Sequence, residues 1–122
     1  MSGFVIDASV AGSYSALLDD ASALYAPEVI DLEFANLLRK AVIRHALDAQ
    51  AADDEIAAWA INDVLRFPHA PRLEAVWAMR HNITPCDASY VALAVELDVP
   101  LVTADRRLAA AAARYCEVIV VD

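Results

Sequence analysis

The chain has 122 residues, and we expect one domain spanning 1–122 around a single hydrophobic core. Its formal net charge of −9 at pH 7 argues against a broadly basic nucleic-acid-binding surface and favours a cation or a basic partner. The sequence contains no apolar run as long as a membrane span, no signal-peptide pattern at its start and only two cysteines, so we expect a cytoplasmic protein with reduced thiols that does not bind membranes.

Strand-like and helical segments alternate along the chain. In chain order, hydrophobic periodicity predicts a strand at 3–7, a helix at 8–18, a strand at 23–27, helices at 28–47, 53–67, 72–82 and 84–97, a strand at 100–104, a helix at 106–115 and a strand at 117–121. His45 falls on the apolar stripe of the long helix, so we expect its imidazole to be packed or half-exposed. Because the late strands are continuous apolar runs, we predict an α/β fold, a three-layer α/β/α domain with a central parallel sheet.

Four carboxylates occur where this sheet would bring them together. Asp7 ends the first strand, Asp105 closes the strand at 100–104, Asp87 lies in the first turn of a helix, and Glu33 lies in the long helix. Sites in open parallel sheets form beyond the carboxyl ends of the strands, so the four could meet at one edge. Crowded carboxylates repel unless protons or cations neutralise them, and such oxygen ligands suit Mg²⁺ or Mn²⁺. A metal held there could activate water and stabilise the charge that develops on a phosphodiester.

Each carboxylate also has a purely structural interpretation. The run Thr84–Asp87 matches a capping box. Asp7 and Asp105 could each cap the helix that follows. Glu33 could lie on a solvated helix face, with Lys40 two turns further on. These interpretations stay open, although they do not explain why the carboxylates follow the strand ends.

Four stretches, in this order, resemble the PIN domain and specifically the VapC-type toxin ribonucleases: VIDASV at 5–10, LEFANLLRKAV at 32–42, TPCDASYVALA at 84–94 and LVTADRRLA at 101–109. Each motif alone is weak, but the ordered set is specific and covers nearly the whole chain. The resemblance implies an endoribonuclease that depends on Mg²⁺ or Mn²⁺, a small cognate antitoxin as partner, and a homodimer.

Position by position, the resemblance also implies roles for individual residues. The acidic quartet, expected to be both catalytic and metal-binding, corresponds to Asp7, Glu33, Asp87 and Asp105. Supporting positions correspond to the hydroxyl residues Ser9 and Thr103 and to the amide Asn36. The stretch between Asp7 and Glu33 is short for the family, in a region that often helps to form the antitoxin groove.

Three other functions fit the residues less well. A phosphoacceptor receiver domain would need a lysine near the end of a late strand, whereas the only lysine, Lys40, lies in an early helix. A phosphatase with paired aspartates on the first strand would need an aspartate at position 9, which is Ser9. The serious alternative is a non-catalytic binding module on the same fold, which metal-dependent RNA cleavage would exclude. Arg106 and Arg107 could hold a phosphate, although a solvated surface position explains them at least equally well.

Overall fold

The computed structural model describes residues 3–17 and 22–122. Within them, five strands form one parallel sheet in the order β3-β2-β1-β4-β5. The strands are β1 Gly3–Ile6, β2 Ala23–Pro27, β3 Leu65–Phe67, β4 Leu101–Thr103 and β5 Val118–Val120. The helices are α1 Val29–Ile43, α2 Ala49–Ala60, α3 Leu73–Ala78, α4 Pro85–Leu97 and α5 Arg106–Ala112, with 3₁₀ helices at Ala8–Leu17 and Ala70–Arg72. The predicted three-layer α/β/α fold with a parallel sheet is confirmed. Every helix in the described ranges is too short or too polar to cross a bilayer.

The central strands β1 and β4 determine where a site can form. Val5 pairs with Leu101 and Ile6 with Val102, and all four side chains are almost fully buried. The chain leaves β1 for β2 on one side, while β4 lies on the other side. The strand order therefore reverses between β1 and β4, and in parallel sheets a crevice opens at such a point beyond the carboxyl ends of the strands.

Helix α4 is buried around most of its circumference. Every residue from Ala88 to Ala94 is buried, and the helix packs against β1, β2, β4 and α3. A helix that is apolar on all sides belongs inside a domain, and its alanines allow the sheet to approach closely. Asp87, in the first turn of α4, is thereby held at the edge of the hydrophobic core.

The helix predicted at 53–67 is wrong in both its start and its second half. Helix α2 begins at Ala49, because Asp48 caps it by accepting a hydrogen bond from the backbone N–H of Gln50 at 3.1 Å. It ends at Ala60, since the side chain of Asn62 donates to the Trp59 carbonyl at 2.6 Å and accepts from the N–H of Val64 at 2.8 Å. The chain then continues as strand β3, which pairs in parallel with β2.

The long helix predicted at 28–47 is also shorter than expected. Helix α1 ends at Ile43, and His45 beyond it has a left-handed backbone with φ of 59°. His45 is exposed, so the prediction that it belongs to the apolar stripe of the helix is wrong.

Candidate active site

Asp7 follows β1 directly, and its buried carboxylate is held on both oxygens. Its Oδ1 accepts from the hydroxyl of Ser9 at 2.5 Å and from the backbone N–H of Ser9 at 3.2 Å. Its Oδ2 accepts from the hydroxyl of Thr103, at the end of β4, at 2.7 Å. Asp7 does act as a local cap, and the same bonds fix it in the crevice between β1 and β4.

The hydroxyls that hold Asp7 also shape the loop after β4. The Ser9 hydroxyl accepts from the N–H of Ala104 at 2.9 Å, and the Thr103 hydroxyl accepts from the N–H of Asp105 at 3.0 Å. Asp105 in turn caps α5, its Oδ1 accepting from the N–H groups of the second and third residues of that helix. The cap that the sequence allowed is therefore present, and the same network orients Asp105 relative to Asp7.

Glu33 on α1 faces a residue that the sequence interpretation missed. The hydroxyl of Tyr90, a buried side chain of α4, donates to Oε1 of Glu33 at 2.5 Å. Burial, followed by the hydrogen bond to Glu33, raises the pKa of Tyr90 far above its usual value, so the phenol stays a donor. No ion pair joins Glu33 to Lys40 among the described residues. The available signal was helical spacing, because Tyr90 lies one turn after Asp87 and shares its face.

Asp87 combines a capping position with a place among the carboxylates. Thr84 is the N-cap of α4, and its hydroxyl oxygen accepts from the N–H of Asp87 at 3.4 Å. Burial, and then the negative charge of Asp105, raise the pKa of Asp87, while the Arg107 guanidinium and the Thr84 hydroxyl act in the opposite direction.

All four carboxylates line one cavity of about 180 Å³, which we name the carboxylate cavity. Its lining residues are Asp7, Ala8, Ser9, Glu33, Asn36, Leu37, Asp87, Tyr90 and Asp105. Asn36 is exposed at this cavity, about one helical turn after Glu33. Thr103 supports the carboxylate cavity through its hydrogen bond to Asp7. The structure therefore brings the residues singled out in the sequence to one place.

The sequence also matches a family model described as PIN domain over residues 4–114. The chain belongs to the PIN domain family. It is 46% identical to Ribonuclease VapC1 of Mycobacterium tuberculosis over 94 residues, which cover 76% of this chain and 71% of that protein. It is 38% identical to Ribonuclease VapC9 of the same organism over 125 residues, covering 96% and 97%. The crystal structure of PAE2754 from Pyrobaculum aerophilum aligns with a TM-score of 0.69 at 25% identity, covering 96% of this chain and 83% of that one. The resemblance to VapC-type PIN proteins is confirmed.

The carboxylates of this PIN domain lack strong compensation by positive charge. Burial raises the pKa of Asp7, the Ser9 and Thr103 hydrogen bonds oppose the rise, and the charge of Asp105 adds to it. The ion pairs within the described ranges join other carboxylates, not these four. In the same ranges, no three His, Cys, Asp or Glu side chains converge closely enough to hold one metal ion directly. A bound Mg²⁺ commonly uses one or two carboxylates and several waters, so a cavity shared by spaced carboxylates suits it.

Proposed function

We propose that this PIN domain is a metal-dependent endoribonuclease that acts as the toxin of a toxin–antitoxin pair. One observation carries the proposal: four carboxylates from four separate segments line a single cavity at the carboxyl edge of the sheet, beyond the ends of the neighbouring strands β1 and β4. The VapC relatives are named ribonucleases, which supports RNA as the substrate.

The donor set fits Mg²⁺ or Mn²⁺. Its donors are carboxylate oxygens, which hard divalent cations prefer, and the raised pKa values of Asp7 and Asp87 reflect burial and repulsion that a cation would relieve. Asp7 and Asp87 would hold the ion directly, with Glu33 and Asp105 contributing through water. Once bound, the ion would lower the pKa of a water molecule and stabilise negative charge on the phosphodiester.

The remaining residues of the site would orient the carboxylates and the substrate for this reaction. Ser9 and Thr103 fix both oxygens of Asp7, so its carboxylate does not need to reorganise. Tyr90 holds Oε1 of Glu33 and leaves Oε2 without a hydrogen bond to any other described residue. Glu33 can therefore accept a proton from the attacking water. Asn36 offers an exposed amide at the cavity to a phosphate or ribose oxygen.

A small antitoxin is part of the proposal, as is a homodimer in the cytoplasm. The net charge of −9 and the carboxylate cavity attract a basic segment, and we expect the antitoxin to place an Arg or Lys beside the four carboxylates. An apolar groove between α1 and α2 supports an amphipathic partner, since it includes Ile43 and Ile56, which are 60% and 41% exposed. A complex in which the antitoxin stays away from all four carboxylates would refute this placement.

The direct test is an RNA cleavage assay with mapped cut sites, run with Mn²⁺, with Mg²⁺ and with chelator. The parent protein should cut RNA only when a metal is present, and Asp7→Asn should not cut. The matched control is Asp63→Asn, which makes the same charge change at an exposed position before β3 and should cut as the parent does. A parent that binds RNA but never cuts it would favour the non-catalytic binding module.

A further inference from the structure

A second cavity of about 120 Å³ adjoins the carboxylate cavity, and we name it the Arg107 cavity. Its lining residues are Asn82, Ile83, Thr84, Asp87, Arg107, Leu108 and Ala111. Asp87 lines both cavities, so the two are neighbours that share this residue. An extended ligand that occupies the carboxylate cavity can therefore continue across Asp87 into the Arg107 cavity.

Arg107 supplies the positive charge of this second cavity. Its backbone N–H donates to Oδ1 of Asp105 at 2.9 Å, which ties its position to the carboxylates. Its side chain is exposed and lines the same small cavity as Asp87. Asn82, which lines the same cavity, accepts a hydrogen bond on its side-chain oxygen from the guanidinium of Arg114 at 3.4 Å.

The two neighbouring arginines of α5 have different partners. Arg106 pairs with Asp122 at 3.3 Å, and both side chains are largely exposed. In the described part of the chain, Arg107 forms no such pair with a carboxylate within 4 Å. Its planar guanidinium therefore keeps donors for a ligand, in a geometry that matches two oxygens of a phosphate.

Charge explains why a ribonuclease of this composition needs such a residue. RNA is a polyanion, and both the net charge of −9 and the four carboxylates repel it. A local cation beside the reaction site offsets that repulsion where the strand must lie. Arg107, one cavity away from the carboxylates, has the position and the chemistry to do so.

We propose that Arg107 binds a phosphate of the RNA strand adjacent to the phosphate in the carboxylate cavity, so that the strand crosses Asp87. The inference rests on the proposed ribonuclease function and adds a substrate-binding subsite to it. Its ligand is a phosphodiester of single-stranded RNA, the form in which a strand can follow two small neighbouring cavities.

RNA binding tests the subsite without interference from cleavage. The probe is a fluorescent single-stranded RNA that the parent protein cleaves, and every protein carries Asp7→Asn so that the probe stays intact. Arg107→Gln should weaken binding about tenfold and reduce the slope of log K against log salt by about 0.7, as expected when one phosphate contact is lost. The matched control, Arg106→Gln, removes the same charge one residue away and should stay within about twofold of the parent with an unchanged slope.

Measurements of metal binding and of cleavage of shortened substrates distinguish phosphate binding by Arg107 from an indirect effect of its substitution on Asp87. Mn²⁺ should bind Arg107→Gln at least as tightly as the parent, since removing a nearby positive charge does not weaken a cation site. With cleavage-competent protein, the RNA is shortened one nucleotide at a time. The cleavage rate of the parent should fall sharply when the phosphate bound by Arg107 is lost, whereas the cleavage rate of Arg107→Gln should not change at that nucleotide.

Two outcomes would overturn the subsite alone. One is an Arg107→Gln variant that binds and cleaves RNA like Arg106→Gln. The other is an Arg107→Gln variant whose RNA defect is matched by lost Mn²⁺ binding. A parent protein that cleaves no RNA with any metal would instead overturn the proposed function, and the subsite with it.

Discussion

Asp31 and Glu33 lie two residues apart on α1, and their surroundings differ. Two residues on an α-helix are separated by about 200° around its axis, so these carboxylates face opposite sides. Oδ1 of Asp31 accepts from the indole N–H of Trp59 at 2.7 Å and from the guanidinium of Arg66 at 2.8 Å. Glu33 receives a neutral hydroxyl from Tyr90 and shares its cavity with three further carboxylates.

Asp31 serves the fold, whereas Glu33 remains available for chemistry. The guanidinium that pairs with Asp31 also binds the side-chain oxygen of Asn62 and lies 5.1 Å from the centre of the Trp59 ring, so this cluster joins α1, the end of α2 and β3. The negative charge of Asp31 is therefore compensated by groups of the protein itself. The charges around Asp7 are fixed in place by hydroxyls but are not neutralised, which is the arrangement that a cation site requires.

The largest expected contrast is between Asp7→Asn and Asp31→Asn in RNA cleavage. Asp7→Asn should lower the cleavage rate by about 100-fold or more, because it removes the carboxylate that we propose as a direct metal ligand. Asp31→Asn should keep the parent rate but lose about 1 kcal/mol of unfolding free energy, since it weakens a partly exposed ion pair. Single-turnover cleavage and chemical denaturation measure the two effects. Equal losses of activity in the two variants would contradict the distinct roles of Asp7 and Asp31.

Asp87 tests whether a cap can also be a ligand. Asp87→Asn should lower cleavage by about 100-fold while melting within a few degrees of the parent, because asparagine keeps the shape but loses the charge. Thr84→Ala should do the reverse, losing about 0.5–2 kcal/mol of stability with the N-cap oxygen and keeping much of its activity. Should Asp87→Asn cleave as the parent does, Asp87 is only a cap.

Tyr90 gives a smaller, more selective effect. Tyr90→Phe preserves the buried ring but releases Glu33, so we expect kcat to fall by about tenfold with little change in KM. Tyr25→Phe is the control, because it removes a buried phenol hydroxyl from β2 outside the carboxylate cavity. If both variants lose the same activity, the hydrogen bond to Glu33 has no positioning role.

The smallest effect concerns stability and pH without metal. Because burial raises the pKa of Asp7 above 3.8, the native state binds its proton more tightly than the unfolded chain. The stability from this group is complete below the unfolded pKa and is lost as pH rises through the raised pKa of the folded state. In chelator, Asp7→Asn should therefore gain stability relative to the parent as pH rises from about 4 towards 7. Melting curves across this range would show the opposite trend if folding lowered the pKa of Asp7 instead of raising it.

Much of the fold follows from local patterns in the sequence. The apolar runs that became β1, β4 and β5 are continuous, and α1 and α2 carry apolar residues on one face at helical spacing. Strand β3 was missed because Leu65–Phe67 continues a helical pattern and, with Arg66 at its centre, is not the continuous apolar run that marks β4 and β5. The helix before it ends through hydrogen bonds of the Asn62 side chain, and hydrophobic periodicity does not predict such an end.

The candidate site was predictable only in part. Asp7 and Asp105 follow strands, so topology alone places them at one edge. Helical spacing places Tyr90 beside Asp87, but the sequence does not show that Tyr90 contacts Glu33 or that Arg66 contacts Asp31, since these partners are 57 and 35 positions apart along the chain. Those contacts depend on how α1 is rotated against α4 and β3, which is settled by tertiary packing.

Calorimetric titration with Mn²⁺ measures directly whether the carboxylate cavity is an uncompensated cation site. The parent protein and Asp31→Asn should bind Mn²⁺ with the same affinity and stoichiometry, because the charge of Asp31 is already paired. Asp7→Asn should show no binding at the concentrations that saturate the parent. Unchanged Mn²⁺ binding in Asp7→Asn would contradict the account.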